Sequence, residues 1–317
     1  MDNRTIEVKN HQISQINMHP TCHICGYQTN FLINKDGFDE YLCPNCGLSF
    51  VSPQPKAEWL KEKIYSAESG YQANKRTDLS QYKENIRITK ILKFLKERKA
   101  GGNILDVGCS SGHFLYSARQ GGFKGVGVEL NERTAKIAIQ NGFDVHIGFL
   151  ETAPFEKRSF DVVYLGDVIE HVNDPRSFVA TCREYLKEGG LLVIDTPNTE
   201  CYWSQATYLL YKAFRIPWAV LTPPHHLFQF GFSNLNRLLL EQKLSFTHSF
   251  FIRPNSLRYE LGSLHLFGKW KRNRNLLNLS YLVFSFILYT LVYWSTFIFS
   301  PLLKKNFHMI VFCEKHA

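Results

Sequence analysis

Residues 104–114 read ILDVGCSSGHF, and few stretches leave a backbone so little choice. A short apolar run that stops at an acid fits a strand buried in a parallel sheet. Asp106 ends that strand, expected over residues 103–107. Gly108 permits a turn closed to any residue with a Cβ. Ser110, Ser111 and Gly112 keep the turn small, so that backbone N–H groups can face a ligand. A helix over 113–120 follows, closed by Gly121 and Gly122. Glu129 lies 23 residues after Asp106, where an acid can accept hydrogen bonds from both hydroxyls of a ribose. A dinucleotide loop uses G-x-G-x-x-G to seat a pyrophosphate on a helix N-terminus. Here G-C-S-S-G follows an acid, which repels phosphate and suits a cationic group. Cys109 reads as a small loop residue rather than a nucleophile.

The alternation of strand and helix that starts here implies a parallel sheet. Further strands are expected at 125–129, 145–147, 160–165, 191–195, 245–252 and 308–313. Asn131 caps a helix that stops at Asn141 and Gly142. Asp174 and Pro175 open another, with Phe178, Val179, Cys182 and Leu186 on one face and Gly189–Gly190 at its end. Ser233 caps a third, running to Gln242. Upstream, residues 80–99 read as a helix with Ile88, Ile91, Leu92 and Leu95 on one face, after an irregular stretch at 65–79. Two aromatic stretches, 201–221 and 276–303, interrupt the pattern. With 44% hydrophobic residues among 317, the chain can bury one α/β domain with appendages.

These stretches together resemble a class I, Rossmann-like methyltransferase that uses S-adenosylmethionine, in the group of the ubiquinone-biosynthesis O-methyltransferases. Four blocks carry the resemblance: ILDVGCSSGHF, GVGVEL (125–130), FDVVYLGDVIEHVNDP (160–175) and LKEGGLLVIDTPN (186–198). It covers residues 86–260 and the final strand. It implies an α/β fold with a seven-stranded, mostly parallel sheet and helices on both faces. It implies that Asp106, Gly108, Ser110 and Gly112 hold the amino-acid end of the cofactor, with Cys109 and Phe114 completing the motif. Glu129 would bind the ribose and Leu130 would pack on the adenine. Gly166 and Asp167 would lie close to the sulfonium. Where the family often has an acid after the glycine of HIGFLETAPF (146–155), this chain has Phe149, so the adenine contact passes to the backbone of Leu150.

On the acceptor side, methyl transfer is an in-line displacement in which alignment supplies much of the acceleration. A base is needed when the nucleophile carries a proton that must leave. His171 follows Glu170 at the carboxyl edge of the fourth strand. His225 and His226 lie in PPHHLFQF, where the resembling family borders its acceptor pocket. Imidazole suits proton transfer near neutral pH. An alternative reading has His171 only orienting its loop. Enzymes that methylate exocyclic amines of nucleic acids carry an N/D-P-P-Y stretch where this chain has GDVIEH.

Two knuckles, C-H-I-C (Cys22, Cys25) and C-P-N-C (Cys43, Cys46), are separated by 17 residues. Each puts two thiolates on one tight turn, and together they suit a tetrahedral, structural zinc. The following GLSFVSPQP resembles a bacterial sub-branch in which a zinc ribbon precedes the methyltransferase domain. Residues 276–303 carry no charge over 28 residues, long enough to cross a bilayer. Positive charge flanks this stretch on both sides, and residues 251–317 carry nine Lys/Arg against two acids, most of the chain's net +9. Both ends are therefore expected on the cytosolic side. A monotopic helix or shallow hairpin in the interface fits better than a single span or a buried or lid helix pair, with the 201–221 stretch on the same face. The N-terminus shows no apolar signal region.

The expected organisation is a loose 1–20, a zinc ribbon at 21–55 and a linker with a capping helix at 56–100. The methyltransferase domain covers 101–260 with an insertion at 201–222. A membrane-associated helical segment at 261–305 and a final strand at 306–317 complete it. The expected function is methyl transfer from S-adenosylmethionine to a small-molecule or lipid-linked glycan acceptor, by O- or C-methylation, at the cytosolic membrane face. Nucleic acid is not the favoured partner, although a zinc ribbon that binds RNA would make the enzyme an RNA methyltransferase. A non-catalytic cofactor-binding scaffold is the third reading.

Overall fold

Side chains of a strand alternate between the faces of its sheet, and here both faces are apolar. In β4 (Asn103–Val107), Ile104 packs on one side while Leu105 and Val107 pack on the other. In β7 (Phe160–Gly166), Val162 and Tyr164 alternate in the same way with Val163 and Leu165. A sheet buried on both faces must be covered by helices on both. The computed structural model describes residues 19–64, 85–98, 102–216, 218–253, 276–303 and 306–316. The expectations for residues 1–18 and 65–84, and the basic flanks of the apolar segment, lie outside the described residues.

Seven strands run in the order β10-β11-β8-β7-β4-β5-β6. Besides β4 and β7 they are β5 (Lys124–Glu129), β6 (Asp144–Ile147), β8 (Leu186–Pro197), β10 (Leu244–Ile252) and β11 (His308–Lys315). β4, β5, β6, β7 and β8 pair in parallel, and β11 lies antiparallel between β8 and β10. One face carries α2 (Ile86–Glu97) and α3 (His113–Gln120), and α4 (Glu132–Gln140) packs beside α3 through Ala138 and Leu115. The other carries α5 (Pro175–Tyr185) and α7 (Phe232–Glu241). Ile88, Ile91, Leu92 and Leu95 form the buried stripe of α2, as their spacing predicts.

Two boundaries differ from the sequence expectation. α5 ends at Tyr185 rather than at Gly189–Gly190, because Leu186 already pairs with Phe160 and begins β8. α7 is capped at Gly231, not Ser233: the Asn234 side chain accepts from the Gly231 N–H at 3.0 Å.

The N-terminal segment forms a small antiparallel sheet from β1 (Asn30–Lys35), β2 (Phe38–Leu42) and β3 (Ser49–Val51). Its fourth strand, β9 (Phe228–Gln229), comes from the far side of the sequence. Phe50 and Phe228 stack across that pairing at 6.0 Å and are fully buried. The knuckles are held on the larger body as well. Arg176 of α5 donates to the carbonyls of His23 and Ile24 at 3.3 and 3.2 Å, and Asn234 of α7 donates to the Cys46 carbonyl at 3.2 Å. A short helix, α1 (Ala57–Lys63), follows within the expected linker.

The 276–303 stretch is one continuous helix, α8 (Leu276–Leu303), not a hairpin. It runs antiparallel to α6 (Tyr202–Phe214): Phe214 meets Phe284 at 5.5 Å, Trp203 meets Tyr289 at 5.9 Å and Tyr202 meets Phe299 at 5.3 Å. The two aromatic stretches therefore share one face of the molecule, as expected.

Candidate functional site

In an open parallel sheet the ligand crevice forms beyond the carboxyl ends of the strands, where the strand order reverses. That point lies between β4 and β7, since β5 and β6 extend to one side of β4 and β7 and β8 to the other. A cavity of about 620 Å³ opens there. Asp106, Gly108, Cys109, Ser110, Phe114, Glu129, Leu130, Leu150, Gly166 and Asp167 all line it. Gly112 does not. It sits one turn deeper at φ 89, where a Cβ would lie 2.9 Å from Phe143, so its role is to let the loop pack closely.

The loop after β4 is bent by Gly108 at φ 76, and a Cβ there would lie 2.6 Å from the Val168 side chain. Ser110 takes the left-handed region with φ 51, an unusual choice for a residue with a side chain. Glu129 holds it there, accepting from the Ser110 N–H at 2.8 Å and from the Asn131 N–H at 2.7 Å. One carboxylate thus clamps the first loop to the start of α4. Cys109 turns its sulfur into the packing of Leu115, Ala138 and Phe143, and Gly127 leaves the room for it. Burial pushes that thiol well above its ordinary range, which suits a packing residue and not a nucleophile.

Asp106 is the orphan of the site. It is 2% exposed, and its Oδ2 has no hydrogen-bond partner among the described residues. Desolvation, with the neighbouring Glu129 charge, raises its pKa well above the carboxylate range. A cation brought to this carboxylate would favour its charged form and offset the cost of burying it. Phe114 stacks on Tyr164 with centroids 3.9 Å apart, forming an aromatic floor.

Asp167 also takes the left-handed region, with φ 53. It accepts from both Nη atoms of Arg87 at 3.2 and 3.0 Å. Arg87 reaches on to Asp195, 1% exposed, at 3.0 Å. His308 completes the group, with its Nδ1 3.4 Å from Asp195 and 3.2 Å from Arg87. Desolvation in the crevice raises the Asp167 carboxyl, but Arg87 outweighs it and holds that carboxyl below its ordinary range. None of Arg87, Asp195, His308, Asn85 or Tyr164 was singled out from the sequence. The available signals were Asp195, an acid inside the apolar run LLVIDTP, and Arg87, a basic residue in the first turn of a helix whose N-terminus disfavours it.

Of the three histidines, only His171 lines the cavity. Its Nδ1 is hydrogen-bonded to the His225 carbonyl. A carbonyl can only accept, so Nδ1 carries the proton of the neutral ring and Nε2 the lone pair. Burial lowers the His171 pKa, so the ring is neutral near pH 7. His226 lies behind His171, ring edge to face at 4.9 Å, with its pKa lowered to about 3 by burial and by His171. His225 contributes its backbone to this arrangement. Glu170 is buried beneath, accepts from Thr196 at 2.9 Å and is pushed well above the carboxylate range.

The four cysteine sulfurs lie within 4.8 Å of one another. Cys22 meets Cys46 at 3.5 Å and Cys25 meets Cys43 at 3.4 Å. A tetrahedron of zinc–sulfur bonds of ~2.3 Å has edges of about 3.8 Å, so the donor set and its spacing fit that ion. Gly26 and Gly47, at φ 69 and 73, close the two knuckles.

Comparison with known proteins gives a consistent result. The family model described as "Methyltransferase domain" matches residues 79–257, more than half of the chain. The ubiquinone biosynthesis O-methyltransferase of Hahella chejuensis is 35% identical over 116 residues, covering 34% of this chain and 49% of the relative. That of Idiomarina loihiensis is 35% identical over 105 residues, covering 31% and 43%. The chain thus spans about half the length of the curated relatives it matches. Among solved structures, a putative sarcosine dimethylglycine methyltransferase from Galdieria sulphuraria aligns with a TM-score of 0.45 at 17% identity, covering 75% of this chain and 90% of that one. The chain belongs to the class I, S-adenosylmethionine-dependent methyltransferase family.

Proposed function

We propose that the protein transfers a methyl group from S-adenosylmethionine to a small acceptor, a lipid-linked glycan or a related sugar-containing intermediate, at the cytosolic face of a membrane. The orphaned Asp106 carboxylate in the crevice carries the donor half of this reading. Asp106 would hold the ammonium of the amino-acid end, while the N–H groups of Gly108, Cys109, Ser110 and Gly112 bond within the fold and shape the loop around it. Glu129, already clamped through one lone pair of each oxygen, retains acceptor capacity for ribose hydroxyls. Leu130 and Leu150 would flank the adenine. When bound, the cofactor supplies an electrophilic methyl on a sulfonium. The Asp167 and Asp195 carboxylates face the same cavity, and their negative charge favours a cation there. His171 is the general base, its Nε2 taking the proton that the acceptor loses, while His225 and His226 orient and desolvate it.

The membrane half rests on α6 and α8. Of α8, Leu282, Ser285, Tyr289, Tyr293 and Thr296 form the buried stripe. The outward face carries Phe284, Phe286, Ile287, Leu291, Trp294 and Ile298, the last 64% exposed. Hydroxyls turned inward and apolar rings turned outward invert the usual pattern, and an apolar patch of this kind marks a membrane or partner surface. Residues 279–299 are long and apolar enough to cross a membrane, but the topology opposes it. Ile252 at the end of β10 pairs with His308 at the start of β11, so both connections to α8 leave from one sheet edge. A spanning helix of about 42 Å would oblige residues 254–275, with five Lys/Arg, to cross as well. A helix lying in the interface avoids that cost. The knuckles hold a structural zinc.

Asp106→Asn should weaken S-adenosylmethionine binding ~10–100-fold. In the parent protein the affinity should rise with pH, because the raised pKa means that the carboxylate charges only as pH increases. Calorimetric titration between mildly acidic and mildly basic pH checks both, and equal affinity of the two proteins would remove Asp106 from the donor site. Incubation with methyl-labelled S-adenosylmethionine and a bacterial lipid extract should label a lipid fraction. His171→Gln should cut the labelling ~10²–10⁴-fold while leaving S-adenosylhomocysteine binding intact; label entering RNA instead would shift the acceptor class. The protein should float with anionic liposomes, and Leu291→Glu with Ile298→Glu should release it, whereas a parent protein that ignores liposomes loses the membrane location. Elemental analysis should find about one zinc per chain, absent from Cys43→Ser, and a metal-free parent would refute the zinc site.

A further inference from the structure

A second cavity, about 560 Å³ in volume, opens on the other side of Arg87. Asn85 and Arg87 are common to both cavities, so the first turn of α2 is the partition between them. The charge across this partition is polarised. Asp167 and Asp195 line the donor cavity and are absent from the lining of the second. The second is lined instead by Lys90, Arg253, His308 and Asn306, with no carboxylate among the described residues. Arg87 is neutralised by its two carboxylates, so the uncompensated charge comes from Lys90 and Arg253. Among the described residues neither makes an ion pair. Lys90 lies over the Phe250 ring at 5.7 Å and Arg253 over the Phe297 ring at 5.7 Å. Phe297 belongs to α8, which places the cationic cavity beside the helix with the outward apolar face.

We infer that this second cavity seats the phosphate or diphosphate of the acceptor. The inference rests on the reading of the first cavity as the donor site, which fixes where the acceptor must approach. A sulfonium on one side of the Arg87 partition is matched by the carboxylates. An anionic group on the other is matched by an ammonium, a guanidinium and two side-chain amides. Guanidinium and ammonium groups pair strongly with phosphate oxygens. An acceptor joined to a lipid through phosphate would rest its chain against α8, its phosphate between Lys90 and Arg253, and its reacting atom near Asp167 and His171. The shared chemistry is a phosphate ester, and its source is either a lipid phosphate or a soluble one such as a nucleotide-linked sugar.

The full-length protein is titrated calorimetrically with inorganic diphosphate, farnesyl phosphate, a nucleotide diphosphate sugar and farnesol, each with and without saturating S-adenosylhomocysteine. The phosphate-bearing probes are expected to bind one site. Farnesyl phosphate should bind at least ~10-fold more tightly than farnesol. The double variant Lys90→Gln, Arg253→Gln should lose that preference, with its S-adenosylhomocysteine affinity unchanged. Tight binding of farnesyl phosphate identifies a lipid source, and binding of the nucleotide sugar alone identifies a soluble one; both uphold the site. Equal binding of farnesol and farnesyl phosphate together with no binding of the nucleotide sugar, or unchanged phosphate binding by the double variant, overturns it. Loss of S-adenosylhomocysteine binding in the parent protein would instead refute the donor site, and the titrations without it would still report on the phosphate site.

Discussion

The ion cluster of Arg87 with Asp167 and Asp195 is the interaction on which the rest of the site depends. Asp195 is 1% exposed, and a carboxylate so buried is strongly destabilising without a partner. Its partner comes from α2, a helix that precedes the whole sheet in sequence. Satisfying Asp195 therefore fixes the first turn of α2 over the carboxyl edge of β7 and β8. The same side chain accounts for the left-handed Asp167, whose carboxylate must turn back to meet it. A roof over the donor cavity and a partition between two cavities follow from one guanidinium.

Much of the central sheet was legible because its determinants are local. Asp106, Gly108 and Gly112 declare a strand, a turn and a helix within a few residues, and Glu129 follows at the end of the next strand. Ile88, Ile91, Leu92 and Leu95 identify α2 by spacing alone. The cluster around Arg87 was not legible, since its partners lie 80 to 221 positions from Arg87 and nothing local marks Arg87 as buried. The pairing of β3 with β9 was hidden for the same reason: Phe228 and Gln229 are two residues whose strand character exists only because Ser49 and Phe50 lie beside them. The early end of α5 was missed because Gly189–Gly190 is a conspicuous stop signal, while the pairing of Leu186 with Phe160 that ends the helix sooner is a tertiary event.

The histidines show how spacing and geometry divide the work. His171, His225 and His226 were grouped from sequence as possible bases, and the fold does bring them together, 54 residues apart in the His171–His225 contact. It also gives them unequal positions. Only His171 reaches the cavity, and a backbone carbonyl sets its tautomer. His226 contributes a desolvating ring. An imidazole whose proton position is dictated and whose surroundings are dry keeps its lone pair at neutral pH, which is what proton removal needs.

The outer pair of helices follows a different logic from the core. In α6, Trp203, Ser204 and Thr207 are buried, and Trp218 donates to the Ser204 carbonyl at 3.0 Å. In α8 the buried stripe is likewise rich in hydroxyls, and Ser295 donates to the Tyr202 hydroxyl at 3.0 Å. Water-facing helices hide carbon and expose oxygen, whereas this pair joins through oxygen and ring edges and leaves Leu209, Leu291 and Ile298 outside. An exposed apolar face of this kind is the mark of a membrane or partner surface. The cationic cavity lies at the inner margin of this pair, where Arg253 meets Phe297. A molecule with an apolar tail and an anionic junction would find both requirements met along one line, ending at the partition that separates it from the methyl donor.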